Sequence, residues 1–380
     1  MTLPGVFITE TAPAGDGTTL AVKDLFDTAG VRTTYGSAVF ADHFPDATAE
    51  AVTRLERAGY ASVGKANLHE FAWGITSENP HYGWVPNPLA EGRIAGGSSG
   101  GCAAALAAGL ADAALGTDSA GSIRIPAACC GVAGFKPTHG LVPIEGCFPL
   151  ARSFDHAGPM ARDVAGCARM MEALAPDLGA VTLDSLADLR VGVAWTRRAD
   201  PLVRERVEAA AAAFPGARAL DVPLPGVVYP AFSREAAEVH GELFRAHRDL
   251  YGENVATKLE RAFALSDAEV DAAWVERDRY RARIAALTED VDLVVCPTLE
   301  MVAPPAGVGD LALRERVILL TFPWSVVGAP VLAMPCGPAE LGLPASLQLV
   351  GRPGDDALVL AAGALLERAL ASRGGASGTL

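Results

Sequence analysis

Residues 93–124 read RIAGGSSGGCAAALAAGLADAALGTDSAGSIR. Two glycine-rich stretches, GGSSGG at 96–101 and DSAGSIR at 118–124, flank CAAALAAGLADAAL (102–115), whose small apolar residues predict a tightly packed helix. Glycine permits backbone conformations that other residues avoid, so hydroxyls and N–H groups on such loops can converge on one ligand. A serine in a single glycine-rich loop is more often a plain turn former. Two loops bracketing one helix weaken that reading without removing it.

Upstream, TLAVKDLF (19–26) has the pattern of a strand running into a turn. Ala21, Lys23 and Leu25 would share one face, with Leu20, Val22, Asp24 and Phe26 on the other. A lone lysine is usually solvated, but a lysine within such a strand is partly desolvated. Desolvation disfavours the ammonium, lowers the pKa and makes a usable general base near neutrality. Asp46 is placed to cap a helix through about Gly59 with Ala51, Val52, Leu55 and Ala58 on one face, and Ser62–Ala66 is a second short strand. Asp200–Pro201 opens a helix to about Phe214.

Residues 230–290 read as mainly helical. Strands return at Val291–Thr298, Pro330–Pro335 and Ala345–Val350, followed by a helix from about Asp355 to Ala371 and a fraying tail, ASRGGASGTL. Helices and strands alternate with no low-complexity linker and no internal repeat. That predicts an α/β protein, one domain over 1–380 with a large central sheet flanked by helices.

The chain has 380 residues, 50% hydrophobic, with a net charge of −14. So acidic a protein repels phosphate backbones and anionic lipid heads, which argues against nucleic acid and membrane partners. Seven cysteines without C-x-x-C spacing, two of them the vicinal Cys129 and Cys130, suggest buried thiols in a reducing compartment. MTLPGVFITETAPAGDG lacks the charged and apolar regions of a signal peptide. Val317–Ala339 is uncharged and long enough to span a bilayer, but Pro323, Pro330, Pro335 and Pro338 interrupt it, so short buried strands and turns are expected. A cytoplasmic location follows.

LAVKDLF, RIAGGSSGGCAAALAAGL, ALGTDSAGSIRIPAACCGVAGFKPTHG and SFDHAGPMARDV closely resemble successive segments of the amidase signature family. The likeness is dense over about 19–170 and returns in PVLAMPCG and LPASLQLVGRPGDD. It implies a single α/β/α domain with a mixed central sheet, and hydrolysis of a carboxamide or a related carbamate, ureido or ester bond. It also implies a Ser–cisSer–Lys triad: Lys23 as base, Ser98 after a cis peptide as relay, and Ser122 as acylated nucleophile. The backbone N–H groups of Ser119, Ala120, Gly121 and Ser122 would form the oxyanion hole, where one donor is typically worth ~3–4 kcal/mol. No metal or organic cofactor is implied, and the partner would be a small amide-like substrate bound by a monomer or homodimer.

Three features depart from the pattern. Ala120 stands where many members have glycine, the stretch before Lys23 is short, and 175–290, which usually shapes the substrate pocket, does not align. Phe71, Trp73 and Phe148 are candidate pocket residues, although large aromatics are more often core. Arg124 could bind an anionic substrate but is better read as a structural donor. His69, His81, His139 and His156 show no partner in the sequence, and Asp118 and Asp155 are expected to brace loops.

Two other readings stay open. GGSSGG satisfies G-x-S-x-G twice, which would suit a Ser–His–Asp esterase, but a nucleophile elbow needs a preceding strand and NPLAEGRIAGG is loop-like. The family also includes the glutaminase component of the tRNA-dependent amidotransferase, which works inside a complex; the C-terminal half here lacks the tyrosine-rich helix expected of it.

Overall fold

The computed structural model describes residues 3–13 and 15–376. Strands run over Phe7–Glu10 (β1), Thr18–Lys23 (β2), Tyr60–Ala66 (β3), Glu78–Asn79 (β4), Gly83–Trp84 (β5), Ala113–Asp118 (β6) and Ala133–Lys136 (β7). They continue with His156–Ala161 (β8), Val191–Val193 (β9), Arg218–Ala219 (β10), Leu293–Pro297 (β11), Val331–Pro338 (β12) and Pro344–Val350 (β13). β4 and β5 form a small hairpin, and the rest join one eleven-stranded sheet in the order β1-β3-β2-β6-β8-β7-β12-β13-β11-β9-β10. β2 is parallel to β3 and β6, the pairings from β6 through β8, β7, β12 and β13 to β11 are antiparallel, and β11, β9 and β10 are parallel again. The sheet is mixed, as the resemblance implies.

Alternation along β2 sorts the molecule into layers. Leu20 and Val22 join a core with Val52 and Leu55 of α1 (Glu50–Arg57), and Met170 and Met171 of α4 (Val164–Leu174). Ala21 points the other way, into a core with Cys102 to Leu106 of α2 (Gly100–Ala107). Lys23 shares the Ala21 parity, so its side chain faces the layer of the helix that begins just after GGSSGG.

Several local expectations need correction. The helix expected over 102–115 splits: α2 ends at Ala107, Gly109 follows at φ +68° in the left-handed region that closes helices, and Ala113–Asp118 becomes a strand between β2 and β8. Alanine propensity loses here to two waiting strand edges. Asp46 does not cap α1, which starts at Glu50 behind Ala49, and Ala58 is its exposed C-cap. The helix opened by Pro201, α5 (Pro201–Ala211), stops short of Phe214, and Asp200 precedes it without a side-chain cap bond. Leu25 lies in the turn beyond β2 and Phe26 in an isolated bridge to Cys147, rather than on the faces of β2.

The residue 230–290 region holds α6 (Tyr229–His247), α7 (Glu253–Phe263) and α8 (Asp267–Leu287). Within 317–339, the end of α9 (Asp310–Ile318) and the short helix α10 (Phe322–Val327) precede β12, so only part of that apolar run is strand. The last helix, α11 (Asp356–Ala376), continues through 371–376, where fraying was expected; residues 377–380 lie outside the described residues. Among the described residues, no helix is long and apolar enough to cross a membrane.

α2 sits so close to the chain after β3 that a Cβ on Gly101 would lie 2.4 Å from Asn67 O and 2.6 Å from Val6 O. Helix propensity alone would reward Gly101→Ala by ~1 kcal/mol. The clash with backbone reverses that sign, and the variant is expected to lose about 1–3 kcal/mol or more in urea denaturation. A stability gain would contradict the close approach.

Candidate active site

Lys23 ends β2 fully buried, and its amine meets three hydroxyls: Ser98 Oγ at 2.8 Å, Ser99 Oγ at 2.9 Å and Thr117 Oγ1 at 2.7 Å. The two serines stand immediately before α2, and Thr117 comes from neighbouring β6. The Gly97–Ser98 peptide is cis. Ser99 Oγ donates to Thr117 O (3.1 Å) and so joins loop to strand. Burial lowers the Lys23 pKa to about 8, against the opposing pull of Cys102, Cys147, Asp118 and Asp155.

A low pKa does not by itself single out this lysine. The chain has four lysines, and Lys23, Lys65, Lys136 and Lys258 are all buried. Burial takes Lys65 to about 8 as well. The partners differ. Lys65 donates to Phe26 O and Thr28 Oγ1 beside the Asp24 carboxylate, and Lys258 to Trp73 O, Asn254 Oδ1 and Asp310 Oδ2. Lys136 donates to Ala329 O, Pro137 O and His156 Nε2. His156 Nδ1 faces two carbonyl oxygens, Phe154 O at 2.7 Å and Asp118 O at 2.9 Å, which assigns its proton to Nδ1 and leaves Nε2 as acceptor. Carbonyls, carboxylates and a bare Nε2 only accept, so they suit an ammonium. Hydroxyls also donate, and only Lys23 is surrounded entirely by them; its lone pair has a proton to point at.

The second loop starts where β6 ends, at Asp118. Its buried carboxylate accepts the N–H groups of Gly121 (2.7 Å) and Ile123 (3.2 Å), together with Arg124 Nε and Nη2, both at 2.9 Å. The remaining Arg124 donors go to Thr321 O, Gln348 Oε1 and Ser325 Oγ, so all five N–H bonds of the guanidinium are spent inside the fold. Burial alone would raise Asp118, but the Arg124 charge and hydrogen bonds outweigh it and hold the carboxyl well below its usual range. Asp155 braces the other side, accepting from Leu150 N, Ala151 N and Ser119 Oγ. Gly121 sits at φ +137°, and a Cβ there would fall 2.4 Å from Thr321 Oγ1, which donates to Ala120 O.

Of the four expected oxyanion donors, the Gly121 N–H is therefore already engaged. Those of Ser119, Ala120 and Ser122 donate to no other described residue. Ser122 Oγ likewise makes no hydrogen bond among the described residues, and Ser98 Oγ bonds only to Lys23. A Ser98–Ser122 hydroxyl contact is not made in this conformation. The loops meet instead through Ser99 N donating to Ser122 O at 3.2 Å.

No imidazole bonds to Ser98, Ser99 or Ser122 among the described residues. The histidines have partners elsewhere, His69 with Asn254, His81 with Glu70, His139 with Arg152 O and His156 with Lys136. Phe148 lines a recess beside Ser119 and Thr117 whose capacity, about 10 Å³, is that of one water. Phe71 is buried behind it with ring centroids 5.2 Å apart, whereas Trp73 donates to Tyr229 OH (2.9 Å) on a separate wall. An apolar cavity of about 360 Å³ between α8 and β11 includes none of Lys23, Ser98 or Ser122 in its lining. Among the described residues, no three His, Cys, Asp or Glu side chains converge as a metal site requires.

The family model described as Amidase matches residues 11–214 and 226–360. The chain belongs to the amidase signature family. It is 36% identical to a glutamyl-tRNA(Gln) amidotransferase subunit of Halobacterium salinarum, over 94% of this chain and 98% of that protein. It is also 36% identical to a 1-carboxybiuret hydrolase subunit of Pseudomonas sp. (strain ADP), over 94% of this chain and 85% of the relative. A crystal structure of an amidase superimposes with a TM-score of 0.85 at 38% identity, covering 93% of this chain and 84% of the other.

Within this amidase-family chain, sequence reasoning missed Thr117 as the third hydroxyl on Lys23 and Thr321 as the buttress of the Ser122 loop. Thr117 looks like any β-branched strand residue, and Thr321 lies some 200 residues from its contact. One signal was available: with four lysines among 31 cationic side chains, arginine serves the surface here, so a lysine is an unusual choice.

Arg124→Ala would strand the Asp118 carboxylate in the interior, and a loss of about 3–5 kcal/mol is expected in chemical denaturation at pH 7. Because Asp118 is held below its unfolded value, the pair's contribution is present above a pH of about 4 and fades as pH falls through the depressed folded value. A variant as stable as the parent across that range would refute the role of the pair.

Proposed function

We propose that the chain hydrolyses a carboxamide, or a related carbamate, ureido or ester bond, through an acyl-enzyme on Ser122, with Lys23 as base and Ser98 as relay. The observation that carries this is the hydroxyl-only shell around a buried amine whose pKa lies near 8. Neutral Lys23 accepts the Ser98 proton while Ser98 accepts that of Ser122, whose oxygen attacks the carbonyl carbon. The carbonyl oxygen becomes an oxyanion met by N–H groups of Ser119, Ala120 and Ser122, the three without an internal partner. The proton returns through the same hydroxyls to the leaving amine as the C–N bond breaks. Water then attacks the ester, giving the acid and restoring Ser122.

The relay requires the Ser98 and Ser122 hydroxyls to come within hydrogen-bond reach, a contact not made in this conformation. Staggered serine rotamers interconvert easily, and catalytic hydrogen bonds in a substrate-free site are often loose. The single sheet from Phe7 to Val350 supports one catalytic unit spanning the chain. All seven cysteines are unpaired, which supports a reducing compartment such as the cytoplasm. Two relatives carry names of subunits, so a partner-dependent amidotransferase-like role is the second reading. Hydrolysis of simple amides by the purified chain alone would separate the two, since the partner-dependent reading requires an added protein.

Ser122→Ala should abolish labelling by a fluorophosphonate probe; labelling that persists would put the nucleophile elsewhere. The base must be neutral to act, so kcat/KM should rise with pH through about 8 and level off above it. Lys23→Ala should cost several orders of magnitude, most severely near neutrality. A rate unchanged by that substitution would remove the base.

A further inference from the structure

We infer that Arg314 is a substrate-recognition residue that selects amides carrying a carboxylate at the non-reacting end. The inference rests on the amide-hydrolase reading above and adds the substrate class to it.

Arg124, the arginine nearest the nucleophile in sequence, has no donor left for a ligand. Arg314 on α9 is the opposite case. Among the described residues it makes no hydrogen bond and no ion pair, although it is half-buried, and burial lowers its pKa to about 10 against a weak pull from neighbouring Glu315. Among the described residues, every other arginine that is buried or half-buried makes at least one hydrogen bond, including Arg93, Arg206, Arg234 and Arg277. None of its nitrogens is closed off from solvent without a partner, so the N–H bonds of this half-buried guanidinium stay open to a ligand.

Its guanidinium lies over the Tyr229 ring, 4.0 Å from Cζ to the centroid. That contact occupies none of the five N–H bonds, which radiate from the edge of the guanidinium. A planar fork held in this way matches a carboxylate through two parallel hydrogen bonds.

The surroundings tie it to both halves of the site. Tyr229 OH accepts from Trp73 Nε1 at 2.9 Å, and Trp73 leads into Gly74 and Ile75, whose backbone lies within 3.0 Å of where a Gly97 Cβ would be. The Tyr229 ring is also 5.8 Å from Phe322, the residue after Thr321, which buttresses Ala120 and Gly121. Tyr229 thus joins the supports of the Ser98 loop and the Ser122 loop, and Arg314 lies over its ring. The chain's net charge of −14 repels anions overall, so the attraction for one beside that junction comes from this part-buried cation itself.

The test compares succinamate with butyramide, amides of equal chain length of which only the first carries a carboxylate. Binding is measured by calorimetry in Ser122→Ala protein, so the outcome does not depend on turnover and a failed hydrolysis assay would be a separate result. Succinamate should bind about tenfold more tightly or better, and adding Arg314→Gln should erase the preference. Arg314→Lys, which keeps the charge and loses the fork, should retain only part of it. Succinamate binding no tighter than butyramide, neither probe binding, or a preference that survives Arg314→Gln would each overturn the assignment.

Discussion

An amine closed off from water must find a partner for each N–H and, when neutral, a donor for its lone pair. The burial of Lys23 among three hydroxyls meets both requirements, because a hydroxyl can turn from acceptor to donor as the proton count changes. Burial weakens the ammonium at every lysine in this chain, and the other three are surrounded mainly by groups that only accept. Holding three hydroxyls on one nitrogen dictates much of the rest. β2 must end at Lys23, α2 must begin directly after Ser99, and β6 must lie beside β2 to bring Thr117.

The loop that follows β6 is organised around one carboxylate. Asp118 takes the N–H groups of Gly121 and Ile123, which turns the chain so that those of Ser119, Ala120 and Ser122 are left over. A buried carboxylate is tolerable only if paired, and Arg124 pairs it while tying the loop to α10 and β13. Ala120 then needs no glycine-like freedom, whereas Gly121 does: its φ of +137° and the nearby Thr321 leave no place for a side chain. The alanine at 120 therefore stands at the position of the pair that does not require a positive φ.

The alternation of Leu20, Ala21, Val22 and Lys23 made the strand, its two faces and the buried lysine legible, and two glycine-rich serine loops marked what would meet it. The α/β class followed from the alternation of helices and strands, and the mixed sheet from the family resemblance. Local propensity misled where tertiary pairing decided: Ala113–Asp118 carries a helical composition and is a strand because β2 and β8 have edges to satisfy. Asp46 looked like a cap, yet the chain enters α1 at Ala49. Thr117 and Thr321 were illegible because a threonine hydroxyl acquires its role only from what folding sets against it. Arg124 was legible as a structural donor, whereas nothing in the sequence around Arg314 says that it spends none of its donors.

Lack of a partner does not by itself mark a site. Asp24 Oδ1, His240 Nε2, Arg277 Nε and Trp324 Nε1 are also buried without a hydrogen bond, and they are scattered. What sets the Ser122 region apart is that its unspent groups are complementary. A hydroxyl without a partner and three N–H groups without acceptors lie on one five-residue loop, adjacent in sequence to a carboxylate and an arginine that are fully committed. A fold that satisfies Asp118 and Arg124 so completely has the capacity to satisfy Ser122 and its neighbours as well. On the proposed reading, leaving them open is what the surrounding network is for: the rigid, fully bonded pair keeps the loop from relaxing onto its own donors before a carbonyl arrives.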